Sequence, residues 1–154
     1  MRDPRSPVLR LGLLILASLY KTPFRSVLGT LYMSILHRGR KTGRTYQTLV
    51  TMLHRDQESG EIFVASSMQG ERADWYRNLK AHPPLEVQVG KSHFEVTHRF
   101  LSEDERSELY RRVCGQKPVR ARLGLFVTGH RWPRSDEDFD ILARNMPAVA
   151  LRPR

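Results

Sequence analysis

Apolar residues follow two different periods along this chain, and these periods predict where helices and strands lie. After residue 22 the apolar side chains recur at i, i+3 and i+4 spacing, as on one face of a helix, at Val27, Leu28, Leu31, Tyr32, Ile35 and Leu36. Residues 47–54 and 61–66 are rich in β-branched and apolar side chains, and the polar segment RDQESG joins them. We therefore expect a helix up to residue 36 and a β-hairpin after it.

The middle of the chain repeats this alternation of short elements. Residues 73–81 predict a short helix, which the two prolines at 83 and 84 end. Residues 85–89 and 92–100 predict a second hairpin about Gly90 and Lys91, because apolar and polar side chains alternate along the second strand.

Two serines mark the starts of helices in the last third of the chain. Ser102 is followed three positions later by Glu105, a capping box, and the helix that it opens is expected to end at Gly115. Ser135 is expected to cap a last helix through residue 145, and residues 147–151 predict a closing strand. The pattern of residues 116–134 fits either a strand or the end of a helix.

Hairpins dominate this order of elements, so the sheet should be mainly antiparallel, and five or six short strands would curl into a small barrel. Alternating βαβ units are absent, which argues against a Rossmann sheet. At 154 residues the chain fits one α+β domain, residues 23–154, preceded by an apolar helix in residues 1–22.

The apolar run at residues 11–20 lies between Arg10 and Lys21. It is too short to cross a bilayer, which needs about 20 residues. A helix packed on the domain and an interfacial helix lying on anionic lipid both fit this run.

The net charge of +10 and the pI near 10.5 favour an anionic partner: phosphates, polyanionic tails, nucleic acid or an acidic membrane. Nucleic acid is not expected, because the basic residues are not interleaved with aromatic stacking platforms. Cys114 is the sole cysteine, so no internal disulfide forms and a cytoplasmic location is expected. The six histidines have no metal-ligand spacing, so no metal is expected.

The segment HRGRKTGR, residues 37–44, concentrates the candidate chemistry. It carries Arg38, Arg40, Lys41 and Arg44, separated by two glycines and Thr42. Glycine lets backbone N–H groups approach a ligand, and arginine presents a fork of donors that matches phosphate oxygens. The loop therefore has the donor set of an anion cradle, although a solvated basic turn between a helix and a strand has the same composition. It is not a P-loop, since the G-x-x-x-x-G-K spacing is missing.

Three motifs resemble those of the nitroreductase-like deazaflavin-dependent oxidoreductases, which are found largely in actinobacteria. These are the loop GRKTGR leading into YQTLV, the Ala65-Ser66 pair that ends the next strand, and the helix opening WYRNL at residues 75–79. The acidic last helix followed by MPAVALRP is also similar, and the resemblance covers about residues 30 to 154.

The resemblance implies a split β-barrel of the FMN-binding type and coenzyme F-420 as cofactor, its phosphate and oligoglutamate tail against the basic loop. It places cofactor contacts at Arg40, Lys41, Thr42, Gly43, Arg44, Thr48, Leu49, Ser66, Ser67, Trp75 and Asn78. The positive net charge agrees independently, because the coenzyme's tail carries several negative charges.

The implied reaction is hydride transfer from the reduced coenzyme to an electron-poor acceptor, such as a quinone, a nitroarene or an activated alkene. No nucleophile or acid–base pair stands out in the sequence, and Tyr46 is the candidate proton donor. Two alternatives stay open: FMN in the same barrel, and a non-catalytic basic module that binds membrane or nucleic acid. The resemblance also implies a homodimer.

Overall fold

The computed structural model describes residues 32–66 and 68–154, so the predicted helix in residues 1–22 and the predicted site residue Ser67 lie outside the described part. The strands of this part are β1 (Tyr32–Arg38), β2 (Thr45–Arg55), β3 (Ile62–Ala65), β4 (Glu86–Val89), β5 (Ser92–Phe94), β6 (Val96–Phe100) and β7 (Ala148–Pro153). The helices are α1 (Asp74–Ala81), α2 (Glu103–Gln116), α3 (Pro118–Val127) and α4 (Asp136–Asn145), with a 3-10 turn at Gly70–Arg72.

The strands form one sheet in the order β5-β4-β1-β2-β3-β7-β6, and every neighbouring pair is antiparallel. The strand predicted over residues 92–100 is broken at Glu95. Its first half pairs with β4 at one edge of the sheet, and its second half pairs with β7 at the other. Because the chain itself joins the two edges, the sheet is a nearly closed barrel, and the predicted antiparallel barrel is confirmed.

The helix predicted to run to residue 36 is wrong from residue 32 onward, where the chain forms β1. Met33, Ile35 and His37 point into the barrel, as the alternation of a strand requires, and all three are buried. Ser34 on the opposite face is also buried, and its hydroxyl accepts a hydrogen bond from Gln47. With both faces covered, β1 lacks the in-out alternation that distinguishes a strand in sequence.

The core has two layers, one on each face of the sheet. Inward side chains of β1, β2, β3 and β7 fill the barrel, and Trp75, Tyr76 and Leu79 of α1 pack against them from one end. The outward faces of β3 and β7 are covered by α2, α3 and α4. Alternation along each strand supplies both layers: Ile62 and Val64 face the barrel interior, whereas Phe63 and Ala65 face the helices.

Both predicted helix starts are confirmed as capping boxes. The Ser102 hydroxyl accepts from the backbone N–H of Glu105, whose carboxylate accepts from the Ser102 N–H. Ser135 forms the same reciprocal pair with Asp138. The segment that the sequence left open contains α3, which begins at Pro118, where the missing N–H costs no hydrogen bond.

The strand register places the basic loop at one end of the barrel. The β1–β2 pairing runs from Tyr32↔Thr51 to Arg38↔Thr45, so residues 39–44 close the hairpin. Helix α1 covers the same end. Since β4 runs antiparallel to β1, the turn at Gly90 and Lys91 lies at the opposite end.

Candidate functional site

The basic loop is the turn of a β-hairpin, not the link between a helix and a strand that the sequence predicted. The Gly39 N–H donates to the Arg44 carbonyl and the Gly43 N–H donates to the Gly39 carbonyl, each over 2.8 Å. Gly43 has a φ of 68°, in the left-handed region that favours glycine. The backbone of the loop is therefore held by its own hydrogen bonds, independently of a ligand.

Gly39 is required for a different reason, which is the space that Tyr46 occupies. A Cβ on Gly39 would lie 2.7 Å from Cε2 of Tyr46 and 2.8 Å from the Thr42 Oγ1. The hydroxyls of Tyr46 and Thr42 are 3.1 Å apart, and the Arg44 N–H donates to the same Thr42 oxygen. The Tyr46 ring thus lies across the base of the loop, and it remains 42% exposed.

Arg40 fastens this loop to helix α1. Its backbone N–H donates to Oδ1 of Asn78 over 3.1 Å, and its guanidinium Nη1 donates to the same oxygen over 2.9 Å. Nη1 also lies 2.9 Å from a carboxylate oxygen of Asp74, one turn earlier on α1. Asn78 is 5% exposed and Asp74 is largely in solvent, so the amide is the buried partner and the carboxylate the exposed one.

Asn78 in turn determines which nitrogen of His37 carries the proton. A backbone N–H can only donate, so the atom that faces Arg40 must be the amide oxygen, and Nδ2 must face His37. Nδ2 can only donate, so Nδ1 of His37 must accept, across 3.1 Å. The ring is therefore neutral and protonated on Nε2, which donates to the Thr48 hydroxyl over 2.9 Å.

Burial reinforces this protonation state. His37 is 2% exposed, and desolvation holds its pKa below the ordinary value, with the Asp74 charge acting in the opposite sense. Its ring also stacks on Tyr46, with centroids 6.1 Å apart. Because Thr48 Oγ1 accepts from His37, its own hydroxyl hydrogen is left to donate elsewhere, and no partner for it exists among the described residues.

The other cations of the loop are placed differently from Arg40. Lys41 and Arg44 are exposed, and so is Arg38 at the end of β1. Within residues 32–66 and 68–154, the ion pairs that the structure contains include none of these three side chains. A Cβ added to Gly43 would meet no atom within 4 Å, so the space above the turn is open. An anion can approach here.

The remaining predicted residues divide between this end of the barrel and the outer face. Ser66 follows β3, and its hydroxyl donates to the Gly70 carbonyl over 2.6 Å. Trp75 is buried in the barrel core, edge-on to Tyr76 at 5.8 Å. Leu49 lies opposite Ser34 on the outward face of β2, whereas Thr48 faces inward. Hydrogen bonds thus join Arg40, Asn78 and, through His37, Thr48, whereas Ser66 bonds to Gly70 and Leu49 points away from Thr48.

Two cavities of the described part lie away from these residues. One, of about 750 Å³, lies between the end of α3 and the start of α4. The other, of about 210 Å³, is an apolar pocket between β2, α2 and α3 that includes Cys114.

Sequence reasoning missed His37 and Asp74. His37 directly precedes the basic loop, but a lone histidine carries no signal without the register that sets it beside Asn78. In the described part, His, Cys, Asp and Glu nowhere gather in threes as a metal site needs, and none of the helices there has the length and hydrophobicity of a membrane span.

Comparison with known proteins identifies the family. A family model described as F-420H(2)-dependent quinone reductase matches residues 25–122. The chain belongs to this family. It is also 32% identical over 132 residues to a Mycobacterium tuberculosis protein named F-420H(2)-dependent quinone reductase Rv3178, a match that covers 85% of this chain and 95% of the relative. The predicted deazaflavin family and reductase activity are confirmed, and coenzyme F-420 is the cofactor.

Solved structures confirm the split-barrel fold. One, described as a domain-swapped dimer, has a TM-score of 0.53 at 20% identity and covers 97% of this chain and 100% of its own. An FMN-binding protein related to pyridoxamine 5'-phosphate oxidase, from Nostoc punctiforme, has a TM-score of 0.53 at 12% identity, covering 90% and 78%. At these identities the likeness is one of fold alone.

The donor set at the β1–β2 turn fits an F-420 coenzyme. The phosphate and the oligoglutamate tail of the coenzyme are anions, and the turn presents an ammonium, guanidinium groups and the hydroxyl of Thr42 beside open space. A deazaflavin supplies a hydride when it is reduced. The protein's part is to bind and orient the coenzyme.

Proposed function

We propose that this chain transfers a hydride from reduced coenzyme F-420 to a quinone, and that the β1–β2 turn holds the acidic tail of the coenzyme. The proposal rests on a contrast between the cations of the turn. Arg40 is bound to Asn78 and Asp74. Lys41 and Arg44 are exposed and have no ion-pair partner in the described part. One cation fixes the turn and the others are left for a ligand.

The rigidity of the turn supports this assignment. Hydrogen bonds within the turn and the contacts of Arg40 hold the loop in place before an anion arrives. Preorganised donors bind more tightly, because less conformational entropy is lost when the ligand binds. Lys41, Thr42, Gly43 and Arg44 are therefore assigned to direct contact with phosphate or carboxylate oxygens.

The buried residues are assigned to positioning. Asn78 uses its amide oxygen on Arg40 and its NH2 group on His37, so it acts on the coenzyme through them. The hydroxyl hydrogen of Thr48, oriented by His37, is assigned to an acceptor atom of the coenzyme. Ser66 and Trp75 shape the same end of the barrel. Leu49 and Ser67 stay as predicted contacts, with Leu49 on the outward face.

Reduction of a quinone to a hydroquinone needs one hydride and one proton. Tyr46 is the candidate donor of that proton, because its hydroxyl is at the turn, shares a hydrogen bond with Thr42 and is partly exposed. Solvent would return the proton to the phenol. This role requires the quinone oxygen to lie within hydrogen-bond reach of Tyr46.

A homodimer is part of the proposal. In the described part Lys41, Arg44 and Tyr46 are exposed, and a second copy would supply a wall that excludes water from the reaction. Sedimentation equilibrium of the purified chain tests this element: a mass twice that of the chain is expected, and a monomer that turns over substrate would contradict it.

The activity is tested by mixing the protein with reduced coenzyme F-420 and menadione, a naphthoquinone without an isoprenoid tail, and following the return of the oxidised coenzyme's absorbance. Saturable turnover, absent without protein, is expected. Turnover of a nitroarene or an activated alkene but not of menadione would change the acceptor class. A parallel titration with FMN tests the alternative cofactor, and binding of FMN without binding of coenzyme F-420 would overturn the proposed site.

A further inference from the structure

Helix α3 is held to the barrel by one face and presents an unusual surface on the other. Ala121 and Leu125 pack into the cluster between the helices and the sheet. Arg120 donates from Nη2 to the carbonyl of Met52 on β2 over 2.5 Å. Met52 is four positions beyond Thr48 on β2, so α3 lies toward the end of the barrel remote from the basic turn.

The outward face of α3 is an apolar stripe. Val119, Leu123 and Phe126 follow one another at i, i+4 and i+7, which places them on one side of a helix. Their side chains are 82%, 63% and 65% exposed. They make up half of the large exposed apolar side chains of the described residues. A stripe of this kind on an anchored helix marks an interaction surface, for a membrane or for another protein.

The stripe lies within a stretch of purely basic charge. Residues 116–134 contain no aspartate or glutamate, and five basic residues: Lys117, Arg120, Arg122, Arg131 and Arg134. Arg120 is bound to the sheet, so the other four basic side chains remain to contact an external anion. The Arg122 guanidinium lies 4.8 Å from the centroid of Trp132, an aromatic residue type that is common at membrane interfaces.

A cavity of about 750 Å³ adjoins the stripe. Arg122, Arg131, Arg134 and Trp132 line it together with Phe126 and His130. Its one acid, Asp138, accepts hydrogen bonds from the backbone N–H groups of Arg134 and Ser135. Burial lowers the pKa of His130, so the histidine adds no charge at neutral pH. The cavity therefore offers arginines and aromatic rings to an anionic head group.

We propose that α3 and the loop that follows it dock on an anionic lipid bilayer. In this arrangement Val119, Leu123 and Phe126 enter the acyl boundary, and Arg122, Arg131 and Arg134 contact phosphodiester groups. Charge complementarity favours this occupant. A nucleic acid would leave the apolar stripe in water, and a second copy of this chain would bring two equally basic surfaces together.

Co-sedimentation of the full chain with vesicles tests the proposal. The wild-type protein is expected to bind phosphatidylglycerol vesicles and to bind phosphatidylcholine vesicles at least about tenfold more weakly, because the basic rim needs an anionic surface. Leu123→Asp should weaken binding to phosphatidylglycerol by about tenfold or more. Ile141→Asp is the matched control, since Ile141 is a 44% exposed apolar residue on α4 and the charge change is the same.

Equal vesicle binding by the two aspartate variants, or no binding by the wild type, would overturn the proposal. An oligomer that Leu123→Asp dissociates without any vesicle binding would assign the stripe to self-association instead. Leu123→Gln, which removes the apolar contact without adding a charge, should show the same direction of change as Leu123→Asp. Circular dichroism of each variant checks that α3 is still folded.

Discussion

Asn78 donates from Nδ2 to Nδ1 of His37 across 3.1 Å, and this single contact determines the protonation state of a buried ring. The Arg40 N–H orients the amide by donating to its oxygen, and the imidazole in turn donates from Nε2 to the Thr48 hydroxyl. A row of hydrogen bonds thus runs from the exposed turn through α1 and into β2.

The first prediction concerns pH. Burial lowers the pKa of His37 below the ordinary 6.5, so the unfolded chain binds this proton before the folded protein does. The free energy of unfolding should therefore fall as the pH drops below 6.5, and the loss should stop once the folded protein is also protonated. His37→Gln keeps a donor and an acceptor without a titrating group, so it should lose less stability between about pH 7 and about pH 5.

Urea unfolding of both proteins at several pH values measures this difference. His54 and His130 also have lowered pKa values and contribute the same direction of change in both proteins, so only the difference between the proteins reports on His37. Identical pH dependence in the wild type and in His37→Gln would show that His37 is not held neutral.

The second prediction compares the two partners of the Arg40 guanidinium. Arg40→Ala removes a charged donor from the buried Asn78 oxygen and should cost about 1.5–3 kcal/mol of unfolding free energy. Asp74→Ala removes an exposed partner and should cost about 1 kcal/mol or less. Urea titration at neutral pH measures both values. Equal losses would mean that the exposed ion pair, rather than the buried amide, holds the turn.

The third prediction separates two glycines of the turn. Gly39→Ala would press a methyl group onto Tyr46 and Thr42, and overpacking of this kind costs about 1–3 kcal/mol. Gly43→Ala meets no atom but must keep a positive φ, which costs about 1–2 kcal/mol. Tyr46→Ser should relieve part of the first loss and none of the second. Thermal unfolding tests this by comparing each glycine variant with the same variant carrying Tyr46→Ser. An equal effect of Tyr46→Ser on both glycine variants would contradict the prediction.

The sequence predicted the capped helices and the hairpin of β2 and β3 because their signals are local. Ser102 and Ser135 cap helices through residues three positions away, and the apolar segments of β2 and β3 are joined by a short polar turn. β1 was predicted as a helix because Tyr32 and Leu36 are apolar on the face opposite Ile35, which hides the period of a strand and fits helical spacing. Helix α3 was left open because apolar residues lie on both of its faces.

For the site, too, the sequence predicted what is local and missed what depends on the packing of distant segments. The composition of the turn indicated an anion cradle from sequence alone. The contact between Arg40 and Asn78 joins residues 38 positions apart and depends on the placement of α1 against the hairpin, so no local pattern contains it. Thr48 and Leu49 lie on opposite faces by the alternation of any strand, but only the register of β1 and β2 shows that Thr48 is the one facing inward, opposite Ile35.

The fourth prediction concerns the cysteine. Cys114 is buried in the cluster between the helices and the sheet, and burial raises the pKa of its thiol. A thiol reacts as the thiolate, so iodoacetamide at neutral pH should leave the folded protein unmodified and should alkylate it in urea. Mass spectrometry distinguishes the two results. Rapid alkylation of the folded protein would place Cys114 in contact with solvent and make it a candidate for chemistry.

The fifth prediction is that the exposed cations of the turn bind the coenzyme directly. Replacing one charged partner of an anion removes about 1.5–3 kcal/mol of interaction, a loss of about tenfold or more in affinity. Lys41→Ala should therefore weaken binding of coenzyme F-420 by about tenfold, and added salt should narrow the difference from the wild type. Lys91→Ala removes the same charge at the opposite end of the barrel and serves as the matched control.

The decisive measurement is a fluorescence titration of the full chain and these two variants with oxidised coenzyme F-420. Micromolar binding by the wild type and by Lys91→Ala, with a dissociation constant about tenfold higher for Lys41→Ala, is the expected result. Equal affinity of Lys41→Ala and Lys91→Ala would contradict the placement of the coenzyme's acidic tail on the β1–β2 turn.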